Sequence, residues 1–170
     1  MFKRVAIVTL FILTALAVAQ GQKPSPPAQA QCKFSDGKTI TVDYSSPRMK
    51  GRKIFGDLVP FGEVWRTGAN EATTFVTTAN LTVGGKGVPA GSYTIFTVPN
   101  QGSWTLIVNK KTGEWGIPYK YAADELVRVG MTASQTPSAV ENFTIAFDQA
   151  CTLSITWENT QASVKIAETR

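Results

Sequence analysis

Apolar and polar side chains alternate along most of this chain, and a period of two gathers the apolar residues on one face only when the backbone is a β-strand. Ile40, Val42 and Tyr44 alternate with Thr39, Thr41 and Asp43, and Tyr93, Ile95 and Thr97 with Thr94, Phe96 and Val98. The pattern returns at Trp104, Leu106 and Val108; at Val127, Val129 and Met131; and at Phe143, Ile145 and Phe147. It closes with Cys151, Leu153, Ile155 and Trp157, then Ala162, Val164 and Ile166. Turn-forming residues separate these runs, among them Gly84-Gly85, Asn100 to Gly102, Lys111 to Gly113 and Glu158 to Thr160.

About nine short strands at roughly ten-residue spacing predict an all-β fold, an antiparallel β-sandwich, jelly-roll or immunoglobulin-like in character, or a barrel. Helix is scarce: only residues 54–64 and 121–126 have room for a turn or two, and neither keeps a 3.6-residue period. No βαβ unit and no glycine pattern of a phosphate loop is present. With 170 residues, 43% of them apolar and 17% charged, the chain has the makings of one globular core.

The first nineteen residues stand apart. Lys3 and Arg4 precede a run of fifteen uncharged, mostly apolar residues that ends in Ala17-Val18-Ala19. A membrane-spanning helix needs about twenty, so the run reads as a secretory signal cleaved after Ala19, with no membrane insertion afterwards and a secreted or periplasmic destination. Residues 20–31, rich in Pro, Gln and Ala, read as a disordered or polyproline spacer. Residues 32–170 then form a single β domain that begins near Cys32.

Export bears on the two cysteines, Cys32 and Cys151, because thiols in an oxidising compartment tend to pair. A Cys32–Cys151 disulfide is the expectation, with two buried free thiols as the alternative. The bridge would close a loop of 118 residues, for which chain-entropy models give an upper bound of about 4–5 kcal/mol.

Two stretches interrupt the alternation. The longer, residues 45–71, carries Arg48, Lys50, Arg52, Lys53 and Arg66 beside Asp57, Glu63 and Glu71, with Asn70 as an amide and Trp65 as a flat apolar face. A long irregular excursion in a compact domain is usually functional or disordered, and Phe55, Phe61, Trp65, Ile54, Leu58 and Val64 argue that this one packs. Guanidinium forks suit carboxylate, phosphate or sulfate, and an adjacent Trp suits a sugar or a cation. The candidate ligand site is therefore Arg48, Arg52, Trp65, Arg66, Asn70 and Glu71. The competing reading has Arg66 and Arg52 paired with Glu71, Asp57 or Glu63 to hold the loop shut, while Trp65 plugs the end of the sandwich. The second stretch, residues 112–125, brings Glu114, Trp115, Tyr119 and Tyr121; aromatics there either cap the core or build a carbohydrate-binding surface.

The motifs in these segments are specific. Lys50-Gly51-Arg52-Lys53-Ile54-Phe55-Gly56, Val64-Trp65-Arg66-Thr67-Gly68-Ala69-Asn70-Glu71-Ala72-Thr73, Leu81 to Gly85 and Val88 to Tyr93 together resemble the domain-of-unknown-function family numbered 2911, found in exported bacterial proteins. The resemblance extends from about Thr39 to Ile166, with Trp157 to Thr160 similar to the family's closing motif. It implies an exported, mostly β domain and carries no assigned reaction.

Absence of histidine excludes a Ser-His-Asp triad, a Cys-His pair and any His-bearing zinc or iron site built by this chain alone. No catalytic motif stands out, and neither a metal nor another cofactor is expected. Loss of Lys3 and Arg4 with the leader leaves fifteen basic against twelve acidic residues, a net charge of +3, too mild to indicate nucleic acid as a partner. The expected role is a binding module for a small anionic or carbohydrate ligand. A structural or interaction domain of the envelope is the alternative, in which Gly51, Gly56, Gly62, Gly68, Pro60 and Pro89 shape the backbone. A third is a hydrolase using two carboxylates drawn from Asp43, Asp57, Glu63, Glu71 and Glu114.

Overall fold

The alternating runs become strands because each can put its β-branched and aromatic side chains on a shared inner face. The structure, a computed structural model, describes residues 23–169; the leader at 1–19 lies outside the described residues. Ten strands follow in order: β1 Pro27–Lys33, β2 Thr39–Ser45, β3 Thr74–Thr77, β4 Leu81–Val83, β5 Lys86–Val88, β6 Gly91–Pro99, β7 Ser103–Asn109, β8 Glu125–Phe147, β9 Leu153–Val164 and β10 Ile166–Glu168. Seven form one antiparallel sheet in the order β1-β2-β3-β6-β7-β8-β9, and β10-β4-β5 form a small second one. One 3-10 turn, Ala122–Asp124, accompanies them. The fold is thus all-β and antiparallel, with the large sheet curled on itself in the manner of a sandwich or half-barrel.

The curl is closed by bonds outside the strand ladder. Beyond β2 the chain turns onto β8, where Phe143 N donates to Pro47 O at 2.9 Å and Met49 N to Glu141 O at 2.8 Å. The Tyr44 hydroxyl receives the Ile145 amide at 3.1 Å. Cys32 of β1 and Cys151, in the turn before β9, form the expected disulfide, with Cα atoms 5.7 Å apart. The crosslink joins the two ends of the seven-strand order, which hydrogen bonds alone leave as edges.

Three departures from the sequence reading have physical causes. The fold begins before Cys32: β1 starts at Pro27, and Ser25 is already buried. Its inward residues are Ala28, Ala30 and Cys32, while Gln29 and Gln31 bond outward to Asp43 and Thr41 of β2, so small side chains concealed the alternation within residues 20–31. The runs at 127–131 and 143–147 belong to one 23-residue strand, β8, which pairs with β7 through its first half and β9 through its second, with register shifts between Gln135 and Thr144. Pro137 falls in that irregular middle, where no ladder bond is required of it. Finally, residues 158–160 are not a turn but part of β9, with Glu158 at a φ of 53°. On β6 both faces are buried: Tyr93 and Ile95 enter the main core, while Phe96 and Val98 join Ile107 in a smaller cluster covered by Val64, Ala72, Tyr119 and Tyr121.

Candidate functional site

The long excursion between β2 and β3 packs, as its apolar content predicts. Ile54, Phe55, Val59 and Trp65 are buried, and the Glu158 carboxylate holds the amides of Ile54 and Phe55 at 3.2 and 3.0 Å. Trp65 then pairs with Thr97 of β6 through two backbone bonds of 2.7 and 2.9 Å. The tryptophan ring lies 6.0 Å from Trp157, nearly parallel at 16°, and meets Phe55, Trp104 and Phe143 edge-on. Such contacts are each worth about 0.5–1.5 kcal/mol beyond area burial and fix the loop's base. Just past it the backbone is left-handed at Thr67 (φ 58°) and Asn70 (φ 57°). Gly68 lies between, at φ 151°, with the Ser45 carbonyl 3.0 Å from where a Cβ would stand. A β-branched residue in that region costs about 1–3 kcal/mol, and such outliers cluster at functional sites.

Over this base opens a cleft of about 680 Å³. Arg48, Lys50, Arg52 and Arg66 line it beside Pro24, Ser25, Pro47, Leu58, Val59, Gly68, Ala69 and Ile117, with Trp65 and Trp157 also in its wall; no carboxylate is among these residues. Backbone and hydroxyl oxygens tether two of the guanidinium groups. Arg48 Nη1 donates to Ser46 O and Oγ at 3.1 and 2.8 Å, and Arg52 Nε and Nη2 donate to Met49 O and Arg48 O at 3.1 and 2.7 Å. Each keeps donor capacity in hand, since a guanidinium carries five N–H groups.

Arg66 is different. Its Nη1 is buried without a hydrogen-bond partner, the one such side-chain atom among the described residues. The guanidinium lies over the Trp115 ring, 4.8 Å from its centroid. Burial lowers the Arg66 pKa from its ordinary value, and the charge of Glu71 offsets this only in part. A buried donor left unmatched costs about 1–3 kcal/mol, more when charged, and an anion placed against it would relieve that cost.

Four of the six candidate residues, Arg48, Arg52, Trp65 and Arg66, thus share the cleft. Asn70 and Glu71 are not among its lining residues. Asn70 is buried and its amide donates to Ser25 O at 3.0 Å and Ser45 Oγ at 2.9 Å; exposed Glu71 pairs with Lys23, whose bond is the chief cause that lowers its pKa. Both anchor the N-terminal segment that supplies Pro24 and Ser25 to one wall. Trp65 is only 9% exposed, so it supports the cleft rather than offering a free stacking face.

The second irregular stretch divides in two. Tyr119 and Tyr121 pack on Phe96 and cap the smaller core, as the packing alternative has it. Trp115 stays 54% exposed under Arg66, and Ile117 reaches the cleft. Lys50, Leu58 and Ile117 also line the cleft and Trp115 lies beneath Arg66, and none of these four is among the six candidates. Their signal was present in the two breaks in alternation, but their meeting depends on a backbone bond from Ala72 N to Glu114 O that joins the stretches.

A family profile described as protein of unknown function (DUF2911) matches residues 25–166. The chain belongs to the DUF2911 family. The match starts at Ser25, the first buried residue of the described chain, and therefore includes β1 and, of the N-terminal wall of the cleft, Ser25. No curated protein and no solved structure gives a significant match. Among the described residues of this DUF2911 domain, no helix is long and apolar enough to cross a membrane.

Proposed function

We propose that this DUF2911 domain is an exported binding module whose cleft takes a small anion through Arg48, Arg52 and Arg66. The observation that carries the reading is Arg66, whose side chain has a buried, unpartnered Nη1 and lines a cleft together with three further cationic side chains and no acid. Planar guanidinium forks with spare donors match carboxylate, phosphate or sulfate oxygens. The disulfide fits an oxidising compartment, and the apolar leader accounts for reaching it. A sugar finds less here. Trp65 and Trp157 are buried, and Trp115 already carries Arg66 on one face.

The carboxylates available to a hydrolase lie elsewhere: Asp43 receives Gln29, Glu71 pairs with Lys23, Glu114 accepts from Tyr121, and neither Asp57 nor Glu63 lines the cleft. The structural reading is favoured at Asn70 and Glu71, whose bonds serve the fold.

Titration calorimetry of the purified protein with inorganic phosphate, sulfate and citrate tests the proposal. Arg66→Ala should weaken binding of the preferred anion about 10- to 100-fold, the worth of one or two charged hydrogen bonds. Its melting temperature should stay within about 2 °C of the parent, because the substitution removes no side-chain hydrogen bond among the described residues, and losing the contact with exposed Trp115 is offset by removing a buried, unmatched donor. A large fall in melting temperature with unchanged binding would instead assign Arg66 to the fold.

A further inference from the structure

The cationic cleft does not end at its arginines. Leu58, Val59, Trp65 and Ile117 are shared with an adjoining groove of about 420 Å³ that continues along Pro60, Val64 and Pro118 to Tyr119. The shared residues include two of the four large apolar side chains that are exposed among the described residues: Leu58 at 46% and Ile117 at 41%. A third, Trp115, is the platform under Arg66. Large side chains left in water beside a charged cleft mark a surface made to be covered.

The groove has little to offer a polar occupant. Its walls are chiefly aliphatic, and its one hydroxyl, Tyr119 Oη, already donates to Glu125 at 2.6 Å and accepts from Asn109 at 3.3 Å. The remaining polar side chain there is Glu63, whose negative charge repels an anion. An anionic head is therefore directed to the arginine end, and whatever extends from it passes along apolar walls.

Resting on the anion-binding reading of the same site, we propose that the ligand is an amphipathic anion. Its carboxylate, phosphate or sulfate head sits among Arg48, Arg52 and Arg66, and its single aliphatic tail lies in the groove between Leu58 and Ile117. Burial of those two side chains and of the tail supplies affinity that a bare anion lacks.

Matched probes separate the two claims. The purified protein is titrated with ethyl phosphate, decyl phosphate below its micelle concentration, and decanol. Decyl phosphate should bind at least tenfold more tightly than ethyl phosphate, and decanol should not bind measurably. Leu58→Asn and Ile117→Asn alter exposed positions, so folding should survive, as a circular dichroism melt checks. In both variants decyl phosphate should lose its advantage, the ratio of its affinity to that of ethyl phosphate falling toward one. Equal affinities of the two phosphates in the parent protein overturn the tail and leave the anion site standing. Decyl phosphate binding that is indifferent to both substitutions also overturns it, since the tail then lies elsewhere. Failure of every anion to bind removes the anion site and this inference with it. Decanoate in place of decyl phosphate tells a fatty-acid source from a phosphate ester, and binding only to anionic phospholipid vesicles would replace a free ligand with a membrane surface and overturn the proposal.

Discussion

Arg66 and Glu125 put charge to opposite uses. Arg66 carries a buried donor with nothing to receive it. Glu125 is fully engaged: Arg128 Nε and Nη2 donate to it at 3.0 and 2.9 Å, and the Tyr119 hydroxyl at 2.6 Å. The bidentate bond from Arg128 is the main reason the Glu125 pKa lies below its ordinary value of 4.5, against the opposing effect of burial. A depressed carboxyl pKa stabilises the fold above the unfolded-state value and loses that contribution as pH falls through the folded-state value. The stability difference between the parent and Glu125→Gln should accordingly be about 1 kcal/mol at pH 7, a modest figure for a partly screened pair. It should shrink below about pH 4.5. Urea melts of both proteins from pH 7 to pH 3 measure this, and a difference that stays constant with pH would dissociate the effect from ionisation.

Among elements, β1 shows how a strand with little apolar content becomes part of the fold. Ala30 and Cys32 are its buried residues, and β2 is its only ladder partner. Its hold on the rest of the molecule depends on the Cys32–Cys151 bridge and on the bonds that Asn70 and Glu71 make to residues 23–25. Replacing both cysteines by serine should cost about 2–4 kcal/mol of unfolding free energy. Amide exchange should accelerate in β1 and in the turn at residues 148–152 more than in central β6 and β7. Uniform acceleration across all four would show that β1 is not the dependent part. The element scale is also where sequence legibility failed in detail. In β2, alternation with one buried face is unmistakable. In β8 and β9, polar residues and a proline at mid-strand mimic turns, because β8 changes partner there and the β8–β9 register shifts break the inward face of both.

For the whole molecule, the all-β antiparallel architecture could be read from local pattern, and the disulfide from two cysteines behind an expected export signal. Of the site, Arg48, Arg52, Trp65 and Arg66 could be read because a single irregular segment carries them. The contributions of Ile117, Pro24 and Ser25, and of Trp115 beneath Arg66, could not, since only the folded chain brings residues 24, 66 and 117 to one opening. Asn70 and Glu71 share the segment with Arg66, but left-handed backbone at Thr67, Gly68 and Asn70 turns the chain between them. Residue type proposed a ligand role for both; position made them anchors.

A binding role for the cleft requires that an anion reach Arg66. Side-chain 15Nε–1Hε correlations of the arginines, followed while inorganic phosphate is added at constant ionic strength, report on this directly. Saturable shifts are predicted at Arg66, Arg48 and Arg52, with Arg128, already bonded to Glu125, left unmoved. Small shifts of similar size at every arginine, rising with phosphate and never saturating, would contradict it.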